Sequence, residues 1–156
     1  MRRNEVDEDL KELAFDFLYF FARFEYALKA NHYLKKLGVG QPAEAGWQRL
    51  REKFEGEYQL TEAAKALIDA APKKQVVGEN GTLDFKDVAI PENTSELAQV
   101  ITHCNTVRNN LFHGGKSGPD GFDGPNRTKH LLSLVLAVLD ELAVTCDLNS
   151  DYTGYY

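Results

Sequence analysis

The sequence predicts an all-α fold, a helical bundle of four to five helices with a small irregular or hairpin insertion around residues 72–93. Apolar residues recur at intervals of three and four along residues 10–28 and 97–111, as in amphipathic helices. A further segment, residues 131–144, is apolar on nearly all sides. With 156 residues, 43% of them hydrophobic, the chain can bury the core of one domain.

The first predicted helix runs from Glu5 to Leu37 and ends at Gly38 and Gly40. Its apolar stripe consists of Leu10, Leu13, Phe17, Phe21, Phe24 and Leu28. The same segment carries an aromatic cluster of Phe15, Phe17, Tyr19, Phe20, Phe21, Phe24 and Tyr26. At helical spacing, such a cluster indicates core or a helix–helix interface rather than a cofactor pocket.

The next segments are shorter. Pro42 opens a second helical stretch that continues through Trp47, Leu50 and Phe54, and residues 61–71 form a third helix that Pro72 stops. Within residues 72–93, an Asn-Gly pair lies between short β-prone runs, so a hairpin and an ordered loop are both admissible.

The fourth predicted helix begins at the capping segment Asn93-Thr-Ser-Glu96 and stops at Gly114-Gly115. Its apolar face comprises Leu97, Val100, Ile101, Cys104, Val107 and Leu111. A surface loop rich in Gly, Asp and Pro leads to Pro125. Leu131–Val144 is then the central helix of a bundle or a dimer-facing helix. We expect residues 1–147 to form one helical domain and residues 148–156 a polar, aromatic tail without period.

Composition limits the possible functions. No apolar run is long enough to span a bilayer, so a soluble, cytoplasmic protein without a membrane partner is expected. Cys104 and Cys146 lie in apolar helical patterns, which favours packing over a disulfide or zinc site. The net charge of −6 argues against broad nucleic-acid coating, although residues 95–130 hold four basic and three acidic side chains. Any RNA contact is therefore expected to be local.

Arg108, Asn109 and His113 lie at the end of the fourth helix, in Val107-Arg-Asn-Asn-Leu-Phe-His-Gly-Gly-Lys116. Asn109 and His113 are four residues apart and share a helix face, where the amide can orient the imidazole. Arg108 lies about 140° around the helix from His113. The two side chains therefore need either the full length of Arg108 or a second subunit to meet, which favours a site shared across a dimer.

These residue types suit RNA cleavage. The 2′-hydroxyl of RNA is an internal nucleophile, so cleavage needs a proton acceptor, a proton donor and a cation beside the phosphate. His113 can serve as acceptor and donor, and Arg108 can bind phosphate oxygens bidentately. The remaining histidines, His32, His103 and His130, lack metal-ligand spacing, so neither a metal nor a cofactor is expected.

The motif resembles the R-x4-6-H signature of the HEPN superfamily, in which a polar residue, here Asn109, often follows the arginine. The order of elements is also similar, and residues 21–29 resemble the first helix of some HEPN families. The resemblance implies a homodimer with facing motif helices and a composite active site. It further implies a metal-independent endoribonuclease of a toxin-antitoxin or phage-defence system, with a possible antitoxin protein as partner.

The resemblance also suggests roles for residues outside the motif. Glu25 would support the catalytic helix, although Glu25 and Lys29 could equally form an ordinary i,i+4 ion pair. Apart from the resemblance, the charge of Lys116 in the Gly-rich loop could bind RNA phosphates or be merely solvated. In HEPN toxins that a nucleotidyltransferase partner silences, a tyrosine stands two residues after the histidine. Gly115 occupies that position here, which puts such modification in doubt.

Two alternatives remain open at this stage. One is a non-catalytic HEPN module that binds a nucleotide or mediates a dimeric interaction, which the acidic net charge favours. The other is a helical bundle with a chance motif, which would be favoured if Arg108 and His113 faced opposite sides of a monomer.

Overall fold

The computed structural model describes residues 7–114 and 124–154. Within these residues it contains six α-helices and one antiparallel hairpin. In chain order they are α1 (Glu8–Ala30), α2 (Trp47–Phe54), α3 (Glu62–Ala70), β1 (Lys74–Val77), β2 (Leu83–Lys86), α4 (Glu96–Phe112), α5 (Pro125–Thr145) and α6 (Asn149–Thr153). The mostly helical architecture confirms the predicted class in outline, and the segment around residues 72–93 contains the hairpin.

Helix α5 is the centre of the bundle. It packs against α1, α3, α4 and α6, and its apolar side chains supply much of the core. Most positions of the apolar stripes predicted for α1 and α4 are confirmed as core. The buried members are Phe17, Phe21, Phe24 and Leu28 of α1 and Leu97, Val100, Ile101, Cys104 and Val107 of α4. Phe15, Tyr19 and Tyr26, however, are exposed members of the aromatic cluster.

The two cysteines are buried and free, as predicted. Burial raises the pKa of the Cys104 and Cys146 thiols to about 12, so both are neutral hydrophobic side chains at physiological pH.

The C-terminal end predicted for the first helix was wrong. Helix α1 ends at Ala30, because His32 adopts a left-handed conformation (φ 65°) and the chain turns back. Tyr33 N–H donates to the Leu28 carbonyl at 2.9 Å, and His32 N–H donates to that of Lys29 at 3.1 Å, which together form a Schellman motif.

The start predicted for the second helix was also too early. Residues 33–46 form a closed loop in which Leu34 pairs with Ala45, so α2 begins only at Trp47 and not at Pro42. The two ends of this loop lie so close together that position 46 must be glycine, since a Cβ there would lie 2.7 Å from the carbonyl carbon of Leu34.

Residues 149–153 form α6, where the sequence indicated a tail without period. Tyr152 is only 2% exposed, and its hydroxyl donates to Asp140 Oδ1 at 2.8 Å. The buried Arg23 guanidinium on α1 donates to the carbonyls of Tyr152 (3.2 Å), Gly154 (3.1 Å) and Asp151. These hydrogen bonds fix the end of the described chain to α1.

Replacing Arg23 by alanine is therefore expected to lower the free energy of unfolding by about 2–4 kcal/mol, because three carbonyl groups lose a charged donor. Urea unfolding followed by circular dichroism measures the change. Arg49→Ala is the control, since Arg49 is exposed on α2 and its loss should cost less than about 0.5 kcal/mol. Equal losses in the two variants would contradict this account of α6.

Candidate functional site

Helix α4 places the motif at its C-terminal end. The helix begins at Ser95, whose side chain caps the Ala98 N–H, and His113 is its last, capping residue. Gly114 follows with φ 70°, a conformation that glycine adopts without strain. The stop predicted from Gly114 is thus confirmed at that residue, and the last turn presents Arg108, Asn109 and His113 at one end of the helix.

The Arg108 guanidinium lies between α4 and α1. Its side chain is 32% exposed, and Nη1 donates to Asn109 Oδ1 at 3.1 Å. The guanidinium carbon lies 4.8 Å from the centre of the Phe112 ring, within the range of a cation–π contact. Phe112 is half exposed and borders the site. Nε is buried and has no hydrogen-bond partner. The guanidinium thus uses one of its donors in a side-chain hydrogen bond within residues 7–114 and 124–154.

Glu25 on α1 faces Arg108. Its Oε2 lies 4.0 Å from Arg108 Nη2, the outer limit of an ion pair, and its Oε1 accepts a hydrogen bond from Trp47 Nε1 at 3.3 Å. Trp47 in turn stacks on Phe24, with ring centroids 5.1 Å apart. Glu25 is therefore held toward the motif helix, and it forms no ion pair with Lys29, although both residues are described.

His113 lies on the other side of the helix end. Its side chain is exposed and lines a cleft of about 350 Å³ between α4 and the hairpin. The cleft is lined by Lys74, Gln75, Thr106, Asn109, Asn110 and His113. The imidazole forms no hydrogen bond with any described residue. The orienting bond expected from Asn109 is thus not formed, and the Asn109 amide oxygen accepts a hydrogen bond from Arg108.

Arg108 and His113 line different clefts of one chain. Arg108 lies in a second cleft, of about 520 Å³, together with Glu25, Lys29, Lys35 and residues 43–45. Asn109 is the link, since it lines the His113 cleft and is hydrogen-bonded to Arg108. A single chain therefore does not bring the guanidinium and the imidazole into one cleft.

Asn110 is a site residue that the sequence reasoning did not single out. It is only 7% exposed, and its amide Nδ2 donates to the Lys73 carbonyl at 2.7 Å. The signal was present, because Asn110 lies three residues after the buried Val107, at a position that the helical period places on the buried face. A buried amide needs a partner, and here the partner is the start of the hairpin.

Other candidates have separate positions. Lys116, the proposed RNA-binding residue, lies outside the described residues. His103 is buried on the core side of α4, and burial lowers its pKa, so it is a neutral residue apart from the clefts. Among residues 7–114 and 124–154, no three His, Cys, Asp or Glu side chains are grouped to hold a metal ion. No helix in this part of the chain is long and apolar enough to cross a membrane.

Comparison of the chain with protein-family models, with curated proteins and with solved structures gives no match in any of the three. The chemistry of the helix end is therefore the basis for any statement about function.

Proposed function

We propose that the protein is a HEPN-type, metal-independent endoribonuclease that acts as a homodimer. The observation that carries the proposal is the end of α4, where Arg108 and His113 lie in two separate clefts connected by Asn109. Each cleft holds one of the two groups that RNA cleavage requires. A second copy of the chain would supply the group that each cleft lacks.

Arg108 suits binding of a phosphate. A guanidinium has five N–H donors, and the Arg108 side chain is partly exposed, with one side-chain hydrogen bond, to Asn109, among the described residues. Glu25 at 4.0 Å is too distant for a hydrogen bond, so it orients the guanidinium without occupying its donors. Phosphate oxygens can therefore take the remaining exposed N–H groups.

An exposed apolar face on α1 supports the second copy as partner. Phe15, Leu18, Tyr19 and Tyr26 are 67%, 37%, 41% and 49% exposed. At 100° per residue, these four side chains fall within about 100° of one another around the helix. Glu25 lies about 20° from Leu18 on the same wheel, so the apolar face continues into the Arg108 cleft. A copy docked there would lie beside Arg108, and exposed aromatic clusters of this kind are typical of interfaces.

The proposed reaction needs no further reactant. The 2′-oxygen of RNA attacks the adjacent phosphorus while His113 takes the proton of the hydroxyl. The bond from phosphorus to the 5′-oxygen breaks, and His113 returns the proton to that oxygen. The products are a 2′,3′-cyclic phosphate and a 5′-hydroxyl, and Arg108 from the partner copy stabilises the charge on the phosphate oxygens during the transfer.

The purified protein is accordingly expected to cleave labelled single-stranded RNA in the presence of EDTA at an undiminished rate. Mass spectrometry of the fragments should find cyclic phosphates and 5′-hydroxyls, because the 2′-hydroxyl is the nucleophile. An RNA of the same sequence with 2′-O-methyl riboses is the control and should remain intact. Products with 5′-phosphates, or cleavage that EDTA abolishes and Mg²⁺ restores, would contradict the mechanism.

A second candidate is a non-catalytic HEPN module that binds a nucleotide or mediates a dimeric interaction. The net charge of −6 favours it. Intact RNA after incubation with the wild-type dimer would support this module against the ribonuclease.

The resemblance further suggests a toxin or phage-defence role, with an antitoxin protein as partner. Growth arrest on expression, relieved by His113→Ala in a protein that still folds, would support that role.

A further inference from the structure

The cleft beside His113 has a second wall that comes from the β hairpin. Lys74 and Gln75, at the start of β1, line it opposite the last turns of α4. The hairpin is fixed in this place by the hydrogen bond from the buried Asn110 amide to the carbonyl of Lys73, one residue before Lys74. The position of this wall is thus set by a residue within the motif itself.

The hairpin wall carries positive charge, and none of the described residues that line the cleft is a carboxylate. Lys74 lies directly opposite Lys86 in the strand pairing, and both side chains are exposed. Lys73 pairs with Asp87 at 3.6 Å, whereas Lys74 forms no ion pair with a described residue. Lys74 is the one Lys or Arg among the described residues that line the His113 cleft.

We propose that Lys74 binds the RNA phosphate next to His113, so that the hairpin forms one side of the RNA-binding groove. This inference rests on the proposed function, and it names a residue of the same site. Because Arg108 of the same chain lines the other cleft, Lys74 is the cation that the described part of the same subunit places in the His113 cleft. An ammonium group on a flexible four-carbon stem can follow the phosphate without a fixed geometry. The amides of the half-buried Gln75 and the exposed Asn109 lie in the same cleft and can hydrogen-bond the neighbouring ribose or base.

The test measures binding separately from cleavage. A fluorescent single-stranded RNA with 2′-O-methyl riboses cannot be cleaved, and its dissociation constant is followed by anisotropy at several salt concentrations. Lys74→Ala should raise the dissociation constant about tenfold and lower the slope of log K against log salt by about 0.7, as expected for one lost phosphate contact on a single strand. Lys74→Arg keeps the charge and should retain most of the affinity.

Lys86→Ala is the matched control, because Lys86 lies opposite Lys74 in the hairpin but does not line the cleft. Its dissociation constant should change less than about twofold. Circular dichroism of all three variants verifies that the fold is kept. Equal effects of Lys74→Ala and Lys86→Ala would overturn the inference, as would a wild-type protein that does not bind this RNA.

Cleavage of unmodified RNA by the same variants separates the two proposals. Cleavage by the wild type, together with binding that does not depend on Lys74, would support the ribonuclease and contradict the role of Lys74. Binding that depends on Lys74, without any cleavage, would contradict the ribonuclease and support a phosphate-binding cleft.

Discussion

Replacing His113 by glutamine is expected to lower the rate of RNA cleavage by about a hundredfold or more, the contribution typical of a general acid–base group. Glutamine can still donate and accept hydrogen bonds, but it cannot take up and release a proton near neutral pH. The imidazole is exposed and forms no hydrogen bond with a described residue, so its loss should leave the fold intact. Single-turnover rates with a labelled RNA, at saturating enzyme, measure the effect on the chemical step.

His130→Gln is the matched control for this prediction. His130 is also exposed, but it lies on α5 away from both clefts, and its replacement should leave the rate unchanged. Asn109→Ala should cost less than His113→Gln, since Asn109 positions the Arg108 side chain through one hydrogen bond of 3.1 Å and does not exchange protons. A His113→Gln enzyme that cleaves at the wild-type rate would refute the catalytic role of the imidazole.

The sequence predicted the core well because helix burial follows a local period. Five of the six apolar positions assigned to α4 are buried, and the sixth, Leu111, is partly buried. In α1 the same period correctly assigned Phe17, Phe21 and Phe24 to the core. The glycine itself predicted the stop of α4 at Gly114, since a left-handed residue ends a helix by a local mechanism.

The elements that were not predicted depend on contacts between distant parts of the chain. Helix α6 has five residues, too few to be stable alone, and it is held by Arg23, which lies 129 residues before Tyr152. The end of α1 at Ala30 depends on a left-handed histidine and on the pairing of Leu34 with Ala45. The apolar pattern reveals neither the left-handed turn nor the pairing, so it suggested a longer helix.

The candidate site divides in the same way. The helical position of Arg108, Asn109 and His113 followed from the sequence, and the resemblance directed attention to Glu25, which lies at ion-pair distance from Arg108. The Asn109 amide was expected to orient His113, whereas its oxygen accepts a hydrogen bond from Arg108. This contact was not predicted, because it depends on the conformation of the Arg108 side chain. Lys74 and the hairpin wall were also missed, since only the three-dimensional structure brings a strand from residues 74–77 beside His113.

The separation of Arg108 and His113 within one chain makes a mixed dimer the most direct test of a shared site. If each site combines Arg108 of one subunit with His113 of the other, Arg108→Ala and His113→Ala homodimers should both be inactive. In a dimer of one Arg108→Ala chain and one His113→Ala chain, one site loses both groups and the other keeps both. Such heterodimers should therefore recover about half of the wild-type activity per dimer, because one of two symmetric sites is intact.

The two variants would be co-expressed with different affinity tags, and heterodimers isolated by two successive affinity steps. Light scattering verifies that they are dimers, so that inactivity cannot be due to dissociation. The intact site would contain His113 and Lys74 from the Arg108→Ala chain and Arg108 from the other chain. Lys74→Ala on the Arg108→Ala chain should therefore reduce the recovered activity, whereas the same change on the His113→Ala chain should not.

Properly formed heterodimers without activity would count against the shared site, and an active single-variant homodimer would refute the role of the replaced residue. A wild type that remains monomeric at every protein concentration, with Arg108 and His113 in separate clefts, would instead favour a helical bundle with a chance motif.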